Sequence, residues 1–266
     1  MSSLHFGRSF AAVLLFAVCG CAERIDSFEE YLEVAWRHER EGDQQGAISG
    51  YRQALQLDPA QPVAWYDLGV LYEATGQTEL AIDAWNQALT HDPNYAQALV
   101  NRGNLLAEQN RRELALADFS RAIELAPADF APRRNRADLH RDMGHFPEAL
   151  DDFAEAILIN PRDAETWFER GMLRMELRDW ERARWDFEQA TTLNPRDSLA
   201  WLNLAQMFTW LGHVDEAERA FRRAVELDPQ LANQRPQTFP PRPGESVRSV
   251  DPVAATGFTG RPGEAP

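Results

Sequence analysis

Lysine is missing from this chain. All 27 Lys+Arg cations are arginine, set against 42 acids, and the formal net charge is −15 over 266 residues. An all-arginine cation set points to genome composition. The acidic balance argues against nucleic acid as a partner, which needs a basic footprint on the protein. Cysteine is nearly missing too: Cys19 and Cys21 are the only two. They cannot build a disulfide framework, and no Cys or His spacing suits a metal. Long apolar runs are lacking. The one clear run, Ser9–Val18, falls well short of the ~20 residues that span a bilayer. There is no Gly-rich phosphate loop and no Gly-x-Ser-x-Gly elbow. These absences leave no expected enzyme activity, cofactor, metal or small-molecule substrate.

What the chain does have is a beat. Prolines recur at Pro59, Pro93, Pro127, Pro161, Pro195 and Pro229, 34 residues apart. Five residues before each stands an alanine (Ala54, Ala88, Ala122, Ala156, Ala190, Ala224). Eight before is a ring: Tyr51, Trp85, Phe119, Phe153, Phe187, Phe221. Twelve before is another alanine, from Ala47 to Ala217. A fixed period of this length with these residue types marks a helical repeat array. Each unit offers a small residue in its first helix (Ala35, Gly69, Gly103, Ala137, Gly171, Ala205), where two antiparallel helices can approach. Each also ends that helix at a left-handed position, which Gly42, Gly76, Gly144 and Gly212 suit, Asn110 tolerates and Arg178 strains.

With the proline at position 32, six units run 28–61, 62–95, 96–129, 130–163, 164–197 and 198–231. In the second, Trp65, Leu68, Gly69, Tyr72, Ala81, Trp85, Ala88 and Pro93 resemble the tetratricopeptide repeat (TPR) pattern. The resemblance covers residues 28–231 and implies an all-α fold, a right-handed α-solenoid of six helix-turn-helix units. Leu99 and Arg102 in the third unit, and Arg133 and Arg136 in the fourth, stand where the family has Trp and Leu. Those first helices are expected to pack less well, with the fourth unit a flexible joint. His140-Arg141-Asp142 matches three letters of a kinase catalytic loop but sits within a helix, without a Gly-rich loop upstream.

The termini read differently. Residues 1–20 fit a secretory signal: Arg8, an apolar run, then small residues. Val18-Cys19-Gly20-Cys21 resembles a bacterial lipobox, which implies cleavage before Cys21 and lipidation (palmitate included) of that residue. The alternative is an ordinary signal peptide cut nearby, leaving Cys21 a free thiol. A second acyl chain makes anchoring stable. Residues 21–27 form a short linker, and Ser27 with Glu30 fits a capping box. By the same resemblance the protein is a lipid-anchored envelope protein facing the periplasm, with the outer membrane favoured. The Pro- and Gly-rich stretch 232–266 is expected to be disordered. The last repeat is then capped by its own polar helix or by a tail side chain.

In TPR proteins the first helices line the concave face. By resemblance, this implies a partner-binding groove holding Trp36, Tyr66, Asn101, Asn104, Asn135, Phe168, Met172, Met175 and Trp210. Eleven acids and three arginines stand at the other concave-face positions of the six first helices. Exposed rings and Met are what binding hot spots look like; the alternative is that some cover neighbouring helices. Glu165 and Glu169 stand where a carboxylate clamp needs cations, so a basic or amphipathic protein or peptide segment is the expected partner. The expected function is a membrane-anchored scaffold or adaptor in envelope assembly; the alternative is a constitutive structural subunit of an envelope, secretion or pilus complex.

Overall fold

The computed structural model describes residues 27–236. The expected signal sequence and Cys21, within residues 1–26, and the stretch 237–266 lie outside them. Among the described residues there are twelve α-helices and no strand. In chain order they are α1 (Phe28–Glu41), α2 (Gln44–Leu57), α3 (Pro62–Ala74), α4 (Thr78–His91), α5 (Ala96–Glu108), α6 (Arg112–Leu125), α7 (Ala131–Asp142), α8 (Phe146–Ile159), α9 (Ala164–Glu176), α10 (Trp180–Leu193), α11 (Ser198–Leu211) and α12 (Val214–Leu227). Each 34-residue period is one helical hairpin. None of the helices is long and apolar enough to cross a membrane. The chain divides between His91 and Asp92 into two compact units, α1–α4 and α5–α12.

The helix ends follow their residues. Ser27 and Glu30 form the capping box, each side chain taking the other's backbone N–H at 3.2 Å. Asp163 and Asp197 cap α9 and α11, and Asp129 takes the Ala131 N–H from one residue further out. Every first helix stops at a left-handed residue, and two of these are not glycine: Asn110 (φ 59) and Arg178 (φ 61).

Within each unit the core follows the period. The rings Tyr51, Trp85, Phe119, Phe153 and Phe187 are fully or almost fully buried. Trp85, Phe119 and Phe187 press on the glycine of their own hairpin, Gly69, Gly103 and Gly171. A Cβ added at Gly69 would lie 2.3 Å from Trp85 Nε1, and one at Gly103 2.7 Å from the Phe119 ring. The recurring proline also supplies a carbonyl acceptor. The indole N–H of Trp65, Trp167 and Trp201 donates to the carbonyl of Pro59, Pro161 and Pro195 at 2.8, 3.0 and 3.1 Å. Arg133 does the same job by other means: its guanidinium donates to Pro127 O at 3.0 Å and pairs with Glu155.

In the third and fourth hairpins the arginines that stand where the family has Leu are held by ion pairs. Arg102 grips Asp118 through two bonds of 2.8 and 2.6 Å, and Arg136 grips Asp152 through two of 2.7 Å. Arg170 and Asp186 repeat the arrangement in the fifth hairpin, buried. All three pairs are 16 residues apart and keep the 34-residue step. Where the arginine is absent so is the acid: Leu68 and Ala84, and Leu204 and Ala220, stand at the same positions. The bidentate geometry satisfies both groups where a lone buried charge would be costly.

The end of the array is ordered further than expected. Pro229–Asn233 forms a 3₁₀ turn that buries Leu231 against α12. Beyond it Arg235 pairs with Glu218 at 2.6 Å and lies over the Phe221 ring. The polar cap is thus this turn and its arginine together with α12.

Candidate partner-binding faces

In the first unit, α1, α2 and α3 meet at one hydroxyl. Tyr51 is buried, and its O–H faces Glu39 Oε2 at 3.1 Å and Asp67 Oδ2 at 3.4 Å. The Trp36 side chain also hydrogen-bonds to Tyr51. A tyrosine has one hydrogen to give and two carboxylates to satisfy. Burial, with Glu39 beside it, pushes the Asp67 carboxyl up to about 7, and burial raises Glu39 too. The Tyr51 hydroxyl is pushed well above its ordinary value for the same reasons. On the same helices Trp36 is 37% exposed, Val63 55% and Val70 37%. Among the described residues, every large apolar side chain left exposed on a first helix is one of these three; the rest sit on second helices or just past a helix end.

In the second unit the first helices α5, α7 and α9 also lie side by side, but their shared face is polar and self-paired. Asn135 donates to Asn104 at 2.8 Å. Arg134 bonds to Glu165 at 2.8 Å and to Asp163 at 3.3 Å, and Arg141 to Glu169 at 2.6 Å. Asp138 sits among them. Its Oδ1 is shut off from water and lies 3.2 Å from Arg141 without a well-directed hydrogen bond. Burial and Glu169 push its carboxyl up to about 7.

Residues 62–95 and 96–129 match one model described as tetratricopeptide repeat, residues 134–186 and 168–232 match a second so described, and residues 40–76 match a TPR repeat model. The chain belongs to the tetratricopeptide repeat family. No curated protein matches it. Solved structures with the same TPR fold include PilF of Pseudomonas aeruginosa (22% identical, TM-score 0.66, covering 76% of this chain and 92% of that one). PilW, described as a widely conserved type IV pilus biogenesis factor, is 19% identical with a TM-score of 0.65, covering 76% and 94%. YrrB, described as a TPR protein with an unusual peptide-binding site, is 18% identical with a TM-score of 0.56, covering 67% and 92%.

The expected TPR groove residues separate on inspection. Trp36 is exposed, and Tyr66 is half-buried, its carbonyl taken by the Trp85 indole. Asn104 and Asn135 bond to each other, and Asn101 is half-buried on the same helix as Asn104. Phe168 was expected to be exposed and is not. It is 7% exposed and packs edge-on to Phe187, with ring centres 5.7 Å apart. Met172, Met175 and Trp210 are partly buried against the same core, and Trp210 meets Trp180 at 4.4 Å. These four cover neighbouring helices. Sequence reasoning missed Val63, Val70 and the Tyr51 cluster. The first two were legible as apolar residues at groove positions. The cluster was not, because Tyr51 reads as one more core ring. His140 and His145 meet across the α7–α8 turn, Nδ1 to Nδ1 at 3.4 Å. No group of three or more metal-ligating side chains forms among the described residues.

Proposed function

We propose that the chain is a membrane-anchored TPR scaffold that binds a protein or peptide partner through its first-helix faces, in assembly of the bacterial cell envelope. The observation that carries it is the exposed Trp36–Val63–Val70 set beside Glu39 and Asp67, apolar area that the hairpins themselves do not cover. One similar fold is described as a type IV pilus biogenesis factor, and another by its peptide-binding site. The anchor is Cys21, on the strength of Val18-Cys19-Gly20-Cys21. An anchor of that kind would hold the protein on the periplasmic side of a membrane, the outer one favoured. A basic or amphipathic partner suits the acidic face.

Two experiments test this. Trp36→Ala and Tyr66→Ala should each reduce recovery of partners in a crosslinking pull-down from membranes; unchanged recovery counts against a first-helix site. Cys21→Ser should move the protein from the membrane pellet to the soluble fraction; retention after a salt wash overturns the anchor.

The alternative of a constitutive structural subunit draws on the second unit. There Arg134, Arg141, Asn104 and Asn135 spend their bonds within the face. That is the arrangement of a wall, and such a subunit would co-purify with its complex at fixed stoichiometry in every condition.

A further inference from the structure

Resting on the scaffold reading, we propose that the α1–α3 face docks a cationic amphipathic segment of a partner protein, its apolar side chains on Trp36, Val63 and Val70 and one of its cations between Glu39 and Asp67. The geometry converges on one place. Val63, Asp67 and Val70 are spaced four and three apart, so they share a stripe of α3. Trp36 and Glu39 share a stripe of α1 in the same way. Tyr51 bonds to Trp36, Glu39 and Asp67, so the two stripes border the same hydroxyl. An apolar pair of ridges thus flanks an acidic notch.

The chemistry of the occupant follows from charge. Glu29, Glu33, Glu39, Asp67 and Glu73 occupy groove positions on these two helices, against Arg40 alone. An acidic segment would meet that field at a cost and a neutral one would leave the carboxylates without a counter-charge, while a guanidinium or ammonium in the notch offers the hydrogens that Tyr51 cannot supply to both carboxylates. The apolar contacts give affinity and the notch gives register. The groups facing the notch are Glu39 from α1, Tyr51 from α2 and Asp67 from α3. A cation seated there displaces the proton that Asp67 retains near neutral pH. Binding therefore releases a proton and strengthens as pH rises through about 7.

The probe is a synthetic helical peptide of leucine and lysine, about 18 residues or five turns, with a scrambled peptide of the same composition as control. Binding to the full chain is read by tryptophan fluorescence and calorimetry. The patterned peptide should bind. Val70→Ser and Asp67→Asn should each weaken it about tenfold, which is about 1.4 kcal/mol. Asp83→Asn, which removes the same charge from α4, should leave affinity within twofold, and binding should tighten between pH 6 and 8. Circular dichroism establishes that the variants fold. Equal binding by the Val70→Ser and Asp67→Asn proteins, or equal binding of the scrambled peptide, overturns the proposal. A concentration-dependent dimer abolished by Val70→Ser also overturns it, because the occupant is then a second copy. If native partners are recovered from membranes and their recovery survives both substitutions, this site falls while the scaffold reading stands. If the peptide binds as described but no partner is recovered, the reverse holds.

Discussion

Arg170 and Asp186, sixteen residues apart on α9 and α10, hold each other through two guanidinium bonds of 3.1 and 2.8 Å, and the Asp186 side chain is fully buried. Arg174 adds a third bond to the same carboxylate at 2.8 Å. Removing the acid alone strands two guanidinium groups with little water to take its place. Asp186→Ala should cost about 3–5 kcal/mol. Replacing the pair together, Arg170→Leu with Asp186→Ala, recreates the Leu204–Ala220 arrangement of the sixth hairpin. That double variant should recover most of the loss. Urea denaturation followed by circular dichroism checks both. A double variant as unstable as Asp186→Ala alone would mean that the stranded Arg170 is not what makes the single variant costly.

Arg178 ends α9 in the left-handed region at φ 61, a conformation that costs a non-glycine residue about 1–2 kcal/mol. Four of the six equivalent positions are glycine. Arg178→Gly should raise stability by about 0.5–1 kcal/mol after the glycine's own chain entropy is counted. Gly69→Ala should do the opposite, because its Cβ would meet the Trp85 indole at 2.3 Å. Overpacking of that kind costs about 1–3 kcal/mol. Thermal denaturation of the two variants should move in opposite directions.

These positions show how far the sequence is legible. The period assigned hairpins, left-handed ends and buried rings, because each depends on one residue meeting its own hairpin at fixed spacing. Arg102 and Arg136 were legible only as departures from the family pattern, because each was read alone. Their partners Asp118 and Asp152 lie 16 residues on, at a position that carries no family signature, so the bidentate match shows only when the two helices are laid together. The groove was legible as a set of positions but not as exposures. Phe168 and Trp210 occupy groove positions, and their burial against Phe187 and Trp180 depends on which neighbours happen to be large. Val63 and Val70 stay exposed for the converse reason.

The Asp67 carboxyl titrates near 7 in the fold and near 4 in an unfolded chain. Between those values the folded state holds a proton that the unfolded state has lost. Stability therefore falls as pH rises from about 4 to about 7, and is level above that. Asp67→Asn keeps an acceptor for Tyr51 without the charge. The variant should be more stable than the parent at pH 8, with the difference shrinking toward pH 4. Melting temperatures at the two pH values test this; a constant gap would contradict the shared-proton account. Asp138→Asn should follow the same course, since Asp138 is pushed up to about 7 among Glu169 and its arginines.

Trp201 donates its indole N–H to Pro195 O at 3.1 Å. Trp201→Phe keeps most of the packing and loses this bond, at a cost of about 1 kcal/mol. A loss no larger than that of a substitution at exposed Glu181 would show that the proline carbonyl is satisfied without it.

The most direct test of a first-helix binding face is site-specific photocrosslinking in cells. A photoreactive residue in place of Trp36, on α1, should give discrete adducts with a partner protein. The same residue in place of Leu114, more open to solvent but on the second helix α6, should not. Adducts at position 114 with none at 36 would contradict the account.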